Sequence, residues 1–292
     1  PEITNEVQAE ASIIGGVKFD NATFVYPDSG IKALDNVSFE LRPGQKMAIV
    51  GRTGSGKTTI ADLLVRMYDV TSGKIMVDDR DVQEHNLNNL RQQVGYVPQD
   101  VFLFSDTIAN NVRFGRNEAT DEEVYEYTKY AAIYNEINDL PEGFETMVGE
   151  RGVTLSGGQK QRVSIARAFI KNPNIILLDD CLSAVDTNTE KQILGYLDET
   201  LADKTAIIIT HRIYSLLKFD KIIVMDEGGV YADLDVTCVK PIEKWTSELR
   251  EFANGVGLIV GFEAVVGQKE LDLHYFARKF QIAQWVFAAA KN

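Results

Sequence analysis

The sequence has little of what marks a disulfide-stapled, membrane-spanning or nucleic-acid-coating protein. Cys181 and Cys238 are the two cysteines among 292 residues. That is too few for a disulfide framework and compatible with a reducing compartment, where each reads as a buried structural thiol. Long apolar runs are also missing. The longest stretches, such as residues 255–262 and 285–290, fall far below the roughly 20 residues that cross a bilayer, so neither a transmembrane helix nor a signal peptide is expected. There is no excess of positive charge: the formal net charge is −13, which repels nucleic acid and anionic lipid and leaves room only for a local electropositive pocket. No repeat or low-complexity tract interrupts the chain. What remains, with 45% hydrophobic and 25% charged residues, has the composition of a globular protein with a substantial core.

The pattern along the chain is that of an α/β protein. Residues 1–16 are polar and without period and read as a linker. From Val17, VKFDNATFVYP and VSFELRPGQKMAIVG are apolar runs broken by turn signals, and they read as strands. The second run leads through a glycine loop into TTIADLLVRMYDV, where Ile60, Leu63, Leu64 and Met67 recur at helical spacing. Residues 86–168 are mostly helical in pattern, most clearly in DEEVYEYTKYAAIYNEINDL. Strand signals return as NIILLDD, TAIIITH and KIIVMDE. Their continuous hydrophobicity predicts strands buried on both faces, hence a parallel sheet covered by helices, with a helical insertion inside it.

The segment from Gly51 to Thr58, GRTGSGKT, fits G-x-x-x-x-G-K-[ST] between a predicted strand and a predicted helix. Its glycines, Gly51, Gly54 and Gly56, let the backbone of Thr53, Ser55 and their neighbours wrap closely around phosphate. Lys57 would pair with the β and γ phosphates, Thr58 would ligate Mg²⁺, and the helix beginning there, with Thr59, would add a favourable dipole. Such a loop also needs a carboxylate at the end of a buried strand to hold the Mg²⁺ shell. Asp179, ending NIILLD, supplies it.

Leu155-Ser156-Gly157-Gly158-Gln159, preceded by LPEGFETMVGERGVT and followed by KQRVSIARA, resembles the signature of the ATP-binding cassette of ABC transporters, in particular of exporter-type half-transporters. Ser156, Gly157 and Gly158 at a helix N-terminus would present donors to a phosphate. Further residues match the family's stations over about 17–227. Tyr26 resembles the aromatic that stacks on adenine. Gln99 in YVPQD resembles the glutamine that contacts Mg²⁺ or the attacking water and reports to the membrane domain. The segment from Ser183 to Asp186 resembles the D-loop that crosses to the other subunit, and His211 the switch histidine at the γ-phosphate. The resemblance implies an α/β P-loop NTPase with a mixed, largely parallel sheet, an N-terminal antiparallel β subdomain and a helical insertion. It further implies ATP and Mg²⁺ as ligands, with ATP held between the phosphate loop of one subunit and the signature of a second. The other partner would be the transmembrane domain of an exporter, with the cassette on the cytoplasmic side of the membrane and residues 1–16 following the last membrane helix. No nucleic-acid partner is implied. The alternative is a soluble, non-transport cassette ATPase; those usually carry two cassettes or a long coiled-coil insertion, and their partners favour basic surfaces.

Two features depart from the family pattern. Asp180 stands where the family has a glutamate that orients or activates water. The shorter side chain leaves three options: a slow homodimer, an aspartate working through a shifted water, or the weak half of a heterodimer. Secondly, residues 229–292 lack the short strand and Gly-(Thr/Ser)-His-x-x-Leu segment usual in exporters. VYADLDVTCV reads as a strand, PIEKWTSELREFAN as a helix, VGLIVGFEAVV as a strand and the remainder as a helix with Phe276, Phe280, Ala283 and Phe287 in a stripe. This βαβα extension matches no recognised family and could regulate, dock or be a fused piece; His274 on it carries no metal reading.

Overall fold

The computed structural model describes residues 3–149, 155–199, 203–210, 219–225 and 231–235. Two sheets organise them. The first is antiparallel, in the order β2-β1-β4-β5, from β1 (Val17–Val25), β2 (Lys32–Leu41), β4 (Ser72–Val77) and β5 (Arg80–Asp81). Alternation in β1 turns Val17, Phe19 and Phe24 inward, and Phe19 stacks on Phe39 of β2 at 4.5 Å between centroids. Asp78 and Asp79, both at positive φ, form the two-residue turn between β4 and β5; two left-handed residues match the twist of a tight hairpin.

The second sheet runs β10-β9-β3-β8-β7-β6, from β3 (Lys46–Gly51), β6 (Val94–Val97), β7 (Ile175–Asp179), β8 (Thr205–Ile209), β9 (Lys221–Met225) and β10 (Tyr231–Asp235). All its pairings are parallel except that of β9 with the edge strand β10. The continuous apolar runs have their cause here. In β3, Met47 and Ile49 face one core, shared with the antiparallel sheet, while Ala48 and Val50 face another; in β7, Ile175 and Leu177 divide from Ile176 and Leu178 in the same way. Both faces are covered, so polar residues stand only at the strand ends, as Lys46 and Asp179 do.

Seven α-helices and two single 3-10 turns (Val82–Glu84 and Gly143–Glu145) complete the described residues: α1 (Lys57–Leu64), α2 (Leu87–Gln93), α3 (Ile108–Arg113), α4 (Asp121–Tyr130), α5 (Tyr134–Asn138), α6 (Gly157–Ile170) and α7 (Thr187–Glu199). α1 packs against β3 and β7, and α3 and α4 pack against α6. Three expectations are corrected. The helix predicted through residue 70 stops at Leu64, because Arg66 takes φ 50° and the Arg91 guanidinium donates to the carbonyls of Val65 and Arg66; Met67 is therefore off the helix and half exposed. The single helical pattern over residues 121–140 is split at Ala132, φ 54°, into α4 and α5. The mostly helical region 86–168 also contains the edge strand β6.

Residues 3–16 have no regular structure, yet they are fastened to the body. The carboxylate of Asp78 accepts the N–H groups of Ile14, Gly15 and Gly16, Thr205 Oγ1 donates to Gly15 O at 2.7 Å, and Ile13 is fully buried. Of the C-terminal extension, β10 adds an edge strand to the large sheet; residues 236–292, with the anticipated second strand and two helices, lie outside the described residues.

Candidate functional site

The loop after β3 returns to begin α1 at the carboxyl ends of the parallel strands, where ligands of open α/β sheets gather. Gly56 is the N-cap of α1 at φ 91°, and a Cβ there would lie 2.3 Å from Ala33 O, so only glycine fits the turn. Because glycine has no side chain, α1 begins with no side-chain cap on its N–H groups. A helix of eight residues so opened presents a positive dipole end and free donors. Thr53 and Gly54 are exposed at the rim, and Ser55 is buried beneath them.

Lys57 is 7% exposed, and its Nζ donates to Gly51 O at 2.9 Å and Arg52 O at 2.6 Å. Burial pulls its pKa down, opposed by the charges of Asp179 and Asp180. Across from it, Asp179 ends β7 at 1% exposure, and its Oδ2 has no hydrogen-bond partner. Burial raises the Asp179 pKa; a hydrogen bond from Thr58, on the first turn of α1, works against that rise. A buried carboxylate oxygen without a partner is costly, and a hydrated cation would satisfy it. Thr58 and Asp179 offer few and hard oxygen donors, which suits Mg²⁺ held jointly by protein, phosphate and water. Bound there, the ion would offset charge on the β and γ phosphate oxygens.

Asp180 follows at φ 46°, in the left-handed region. Its N–H donates to Ile209 O at 2.9 Å and its carbonyl accepts Ser183 Oγ at 2.7 Å, so neighbouring strands and loop fix its backbone. Tyr26 is half-buried beside the loop: its ring meets Phe24 and Tyr68 edge-on at 4.9 and 5.6 Å, and its hydroxyl lies 3.0 Å from Thr59 Oγ1. Gln99 lies two residues past the end of β6, after Pro98, and is exposed. His211 lies outside the described residues.

The signature begins α6. Ser156 is its N-cap, in a capping box with Gln159, whose Oε1 accepts Ser156 N–H at 2.9 Å. The Gln159 side chain is thus used within the chain, and its Nε2 also donates to Glu136 at 3.1 Å. A Cβ on Gly158 would lie 2.9 Å from Ala184 O, so the signature turn rests against the segment from Ser183 to Asp186.

No motif singled out several residues around these groups. The Tyr96 hydroxyl donates to Asp62 at 3.3 Å, linking β6 to α1; Asp62 lies four residues after Thr58 on the same helix face, which is the one sequence signal for it. The Arg162 guanidinium, 8% exposed, grips Glu136 with both nitrogens at 2.5 and 2.9 Å and donates to Ala132 O at 2.7 Å. These bonds hold the Glu136 pKa down. Glu136→Ala is expected to cost about 1–2 kcal/mol by urea unfolding, since a nearly buried guanidinium loses its carboxylate while the partly exposed Glu136 is screened; Glu136→Asp is expected to recover part of it.

The profile of the ABC transporter family matches residues 34–183, half of the chain. The chain belongs to the ABC transporter family. Among its relatives is heavy metal tolerance factor 1 of Caenorhabditis elegans, 47% identical over 73% of this chain and 27% of that protein. The iron-sulfur clusters transporter ATM1, mitochondrial, of Yarrowia lipolytica is 48% identical over 74% and 30%. The putative multidrug export ATP-binding/permease protein YgaD of Bacillus subtilis is 44% identical over 77% and 39%. A solved bacterial Atm1-family ABC exporter with ATP bound superposes with a TM-score of 0.75 at 43% identity, over 79% of this chain and 41% of that one. The chain therefore carries the fold of an ABC ATPase and spans roughly a quarter to two fifths of these relatives' length. Among the described residues no helix is long and apolar enough to cross a membrane.

Proposed function

We propose that this ABC cassette binds ATP with Mg²⁺, hydrolyses it, and drives export through a transmembrane domain, working as one half of a nucleotide-sandwich dimer. The observation that carries the reading is the opened start of α1 with buried Lys57 beside it, opposite the unpartnered oxygen of Asp179. Donor ring, ammonium and carboxylate are the three groups that triphosphate and its cation require. In this reading the loop from Gly51 to Thr59 holds the phosphates, Tyr26 stacks on the base, Thr58, Gln99 and Asp179 hold the cation shell, and Asp180 with His211 and Gln99 serves the attacking water.

The second subunit is supported by the signature. Ser156 and Gly157 are exposed, and a Cβ on Gly157 would meet nothing within 4 Å. Among the described residues no neighbour demands glycine there, and we assign the bare surface to the approach of the partner's nucleotide. Ser183, Ala184 and Asp186 are exposed along the same edge. A membrane-domain contact is supported by an exposed aromatic patch close after Gln99 in the chain: Phe102 is 53% and Phe114 61% exposed, with Phe104 between them in ring contact with both. In this reading residues 17–228 are the cassette, on the cytoplasmic face, and residues 1–16 connect it to the membrane domain. Relatives that are exporters or permeases favour transport over a soluble cassette ATPase.

Asp180 favours a second reading of the assembly, in which this chain is the weakly hydrolysing half of a heterodimer. Asp180→Asn keeps a residue suited to the left-handed backbone while removing the charge. The variant is expected to pass from monomer to dimer on light scattering when Mg-ATP is added and to return to monomer with a chelator. A chain that takes up ATP yet stays monomeric belongs to the heterodimer. Absence of any ATP uptake overturns the proposed function.

A further inference from the structure

The segment carrying Gln99 is fastened to the signature helix on both sides. Before it, Lys171, the C-cap of α6, donates from Nζ to Arg91 O at 2.8 Å and Val94 O at 2.9 Å, the last-turn and cap carbonyls of α2. These carbonyls have no partner within α2, and an ammonium also suits the negative end of that helix. After it, Arg167, one turn earlier on α6, donates to Phe102 O at 2.8 Å, Asn111 O at 2.7 Å and Asn111 Oδ1 at 2.8 Å. Its guanidinium also lies 5.5 and 5.9 Å from the ring centres of Phe104 and Phe114, which ties the aromatic patch to the same helix.

Backbone contact reinforces both grips. A Cβ on Gly95 of β6 would lie 3.0 Å from Ala168 O, and one on Gly115 would lie 2.0 Å from Arg167 O. The chain from Arg91 to Gly115 thus leaves α2, passes through β6 and Gln99, and returns through α3 while touching the α6 segment at Arg91, Val94, Gly95, Phe102, Asn111 and Gly115. Both cations are desolvated, with Arg167 pushed down to about 10 and Lys171 to about 8 by burial. The contacts that offset this burial are carbonyl and amide oxygens, whose positions the backbone sets.

We infer that Arg167 and Lys171 are positioning residues that lock the Gln99 segment to the signature helix, so that Gln99 and the turn from Ser156 to Gln159 move as one body. The inference rests on the proposed roles of Gln99 and the signature at nucleotide. Its consequence is a link between two sites. A shift of Gln99 toward the cation in this subunit's own site displaces the signature that serves the partner's ATP, and the partner's ATP, by holding the signature, sets Gln99. Because α6 runs as one unbroken helix over its fourteen residues, no continuous path through the parallel sheet is needed.

Hydrogen exchange by mass spectrometry on the full chain, kept dilute enough to be monomeric by light scattering, tests this. In the nucleotide-free wild type, residues 94–104 and α6 are expected to exchange as one unit with a common opening. Independent rates for the two overturn the inference without any substitution. With Mg-ATP, slowed exchange is expected in residues 51–59, in 94–104 and in the first turn of α6 together. In Lys171→Met, which keeps the length of the side chain and removes the donors, the response of 51–59 is expected to remain. That of the first turn of α6 is expected to fall at least tenfold, and Lys171→Arg to restore it. An unchanged α6 response in Lys171→Met overturns the lock. A wild-type loop 51–59 that ignores Mg-ATP overturns the proposed nucleotide site instead, while the nucleotide-free comparison still judges the lock.

Discussion

Lys57→Ala is expected to weaken Mg-ATP binding on the order of a hundredfold by calorimetry and to reduce ATP turnover to background. The Lys57 ammonium is held in place before any ligand arrives, by Gly51 O and Arg52 O, and it lies where burial disfavours its charge. The field of Asp179 and Asp180 is what offsets that cost. Phosphate would add the strongest complement available to a desolvated cation, and loss of one such charge-assisted contact amounts to about 3 kcal/mol, or two decades in affinity. Lys57→Arg separates charge from shape. Its planar fork carries the same charge but cannot take the place of a compact ammonium inside the loop, so it is expected to lose most of the affinity as well. If either variant bound Mg-ATP as the wild type does, the loop could not be the phosphate site. Thermal unfolding serves as the control: removal of a buried charge whose hydrogen-bond partners are two carbonyls and, at 3.5 Å, the Ser55 hydroxyl is expected to shift the midpoint by only a few degrees.

What could be read from the sequence and what could not divide along the distance over which each feature is determined. The phosphate loop is local: strand, turn and helix follow in order from Lys46 to Leu64, and each residue's place depends on neighbours within a few positions. The strands β3, β7, β8 and β9 were legible because burial on both faces fills their interiors with apolar residues, leaving polar ones at their ends. Their order was not. β3 lies between β8 and β9, more than 150 residues away, and nothing in its six residues names those neighbours. β6 escaped because four residues with Gly95 among them and Pro98 next carry too little periodicity. The end of α1 escaped for another reason. Met67 continues the helical spacing of Ile60 and Leu64, but Arg91, far along the chain, takes the carbonyls of Val65 and Arg66 and turns the backbone outward. The same holds at the site. Arg162 on Glu136, Arg167 on Phe102 O and Lys171 on Arg91 O join residues with no fixed spacing, and two of the atoms they find are backbone carbonyls, which carry no sequence identity at all.

Asp180→Glu is expected to raise steady-state ATP turnover about tenfold or more while slightly lowering stability. Both effects follow from the backbone at this position. Ile209 O and Ser183 Oγ hold the peptide units on either side, so the Cα of residue 180 stays in place and side-chain length decides how far the carboxylate reaches. Aspartate falls short of a glutamate by about 1 to 1.5 Å, and misplacement near 1 Å costs up to about a hundredfold in rate. Set against this is the left-handed φ of 46°. Aspartate tolerates that region through its short polar side chain, whereas glutamate pays roughly 1 kcal/mol there. That penalty falls on the folded state whether or not ATP is bound, so it lowers the unfolding midpoint without entering the barrier to hydrolysis. Opposite signs on the two measurements make the argument specific: a rise in turnover with a small fall in melting temperature is expected, and Asp180→Asn, with its backbone preference kept and its charge gone, should lose turnover and keep stability. Equal turnover for aspartate and glutamate at position 180 would mean that reach does not limit hydrolysis here, and that the water is placed by some other group.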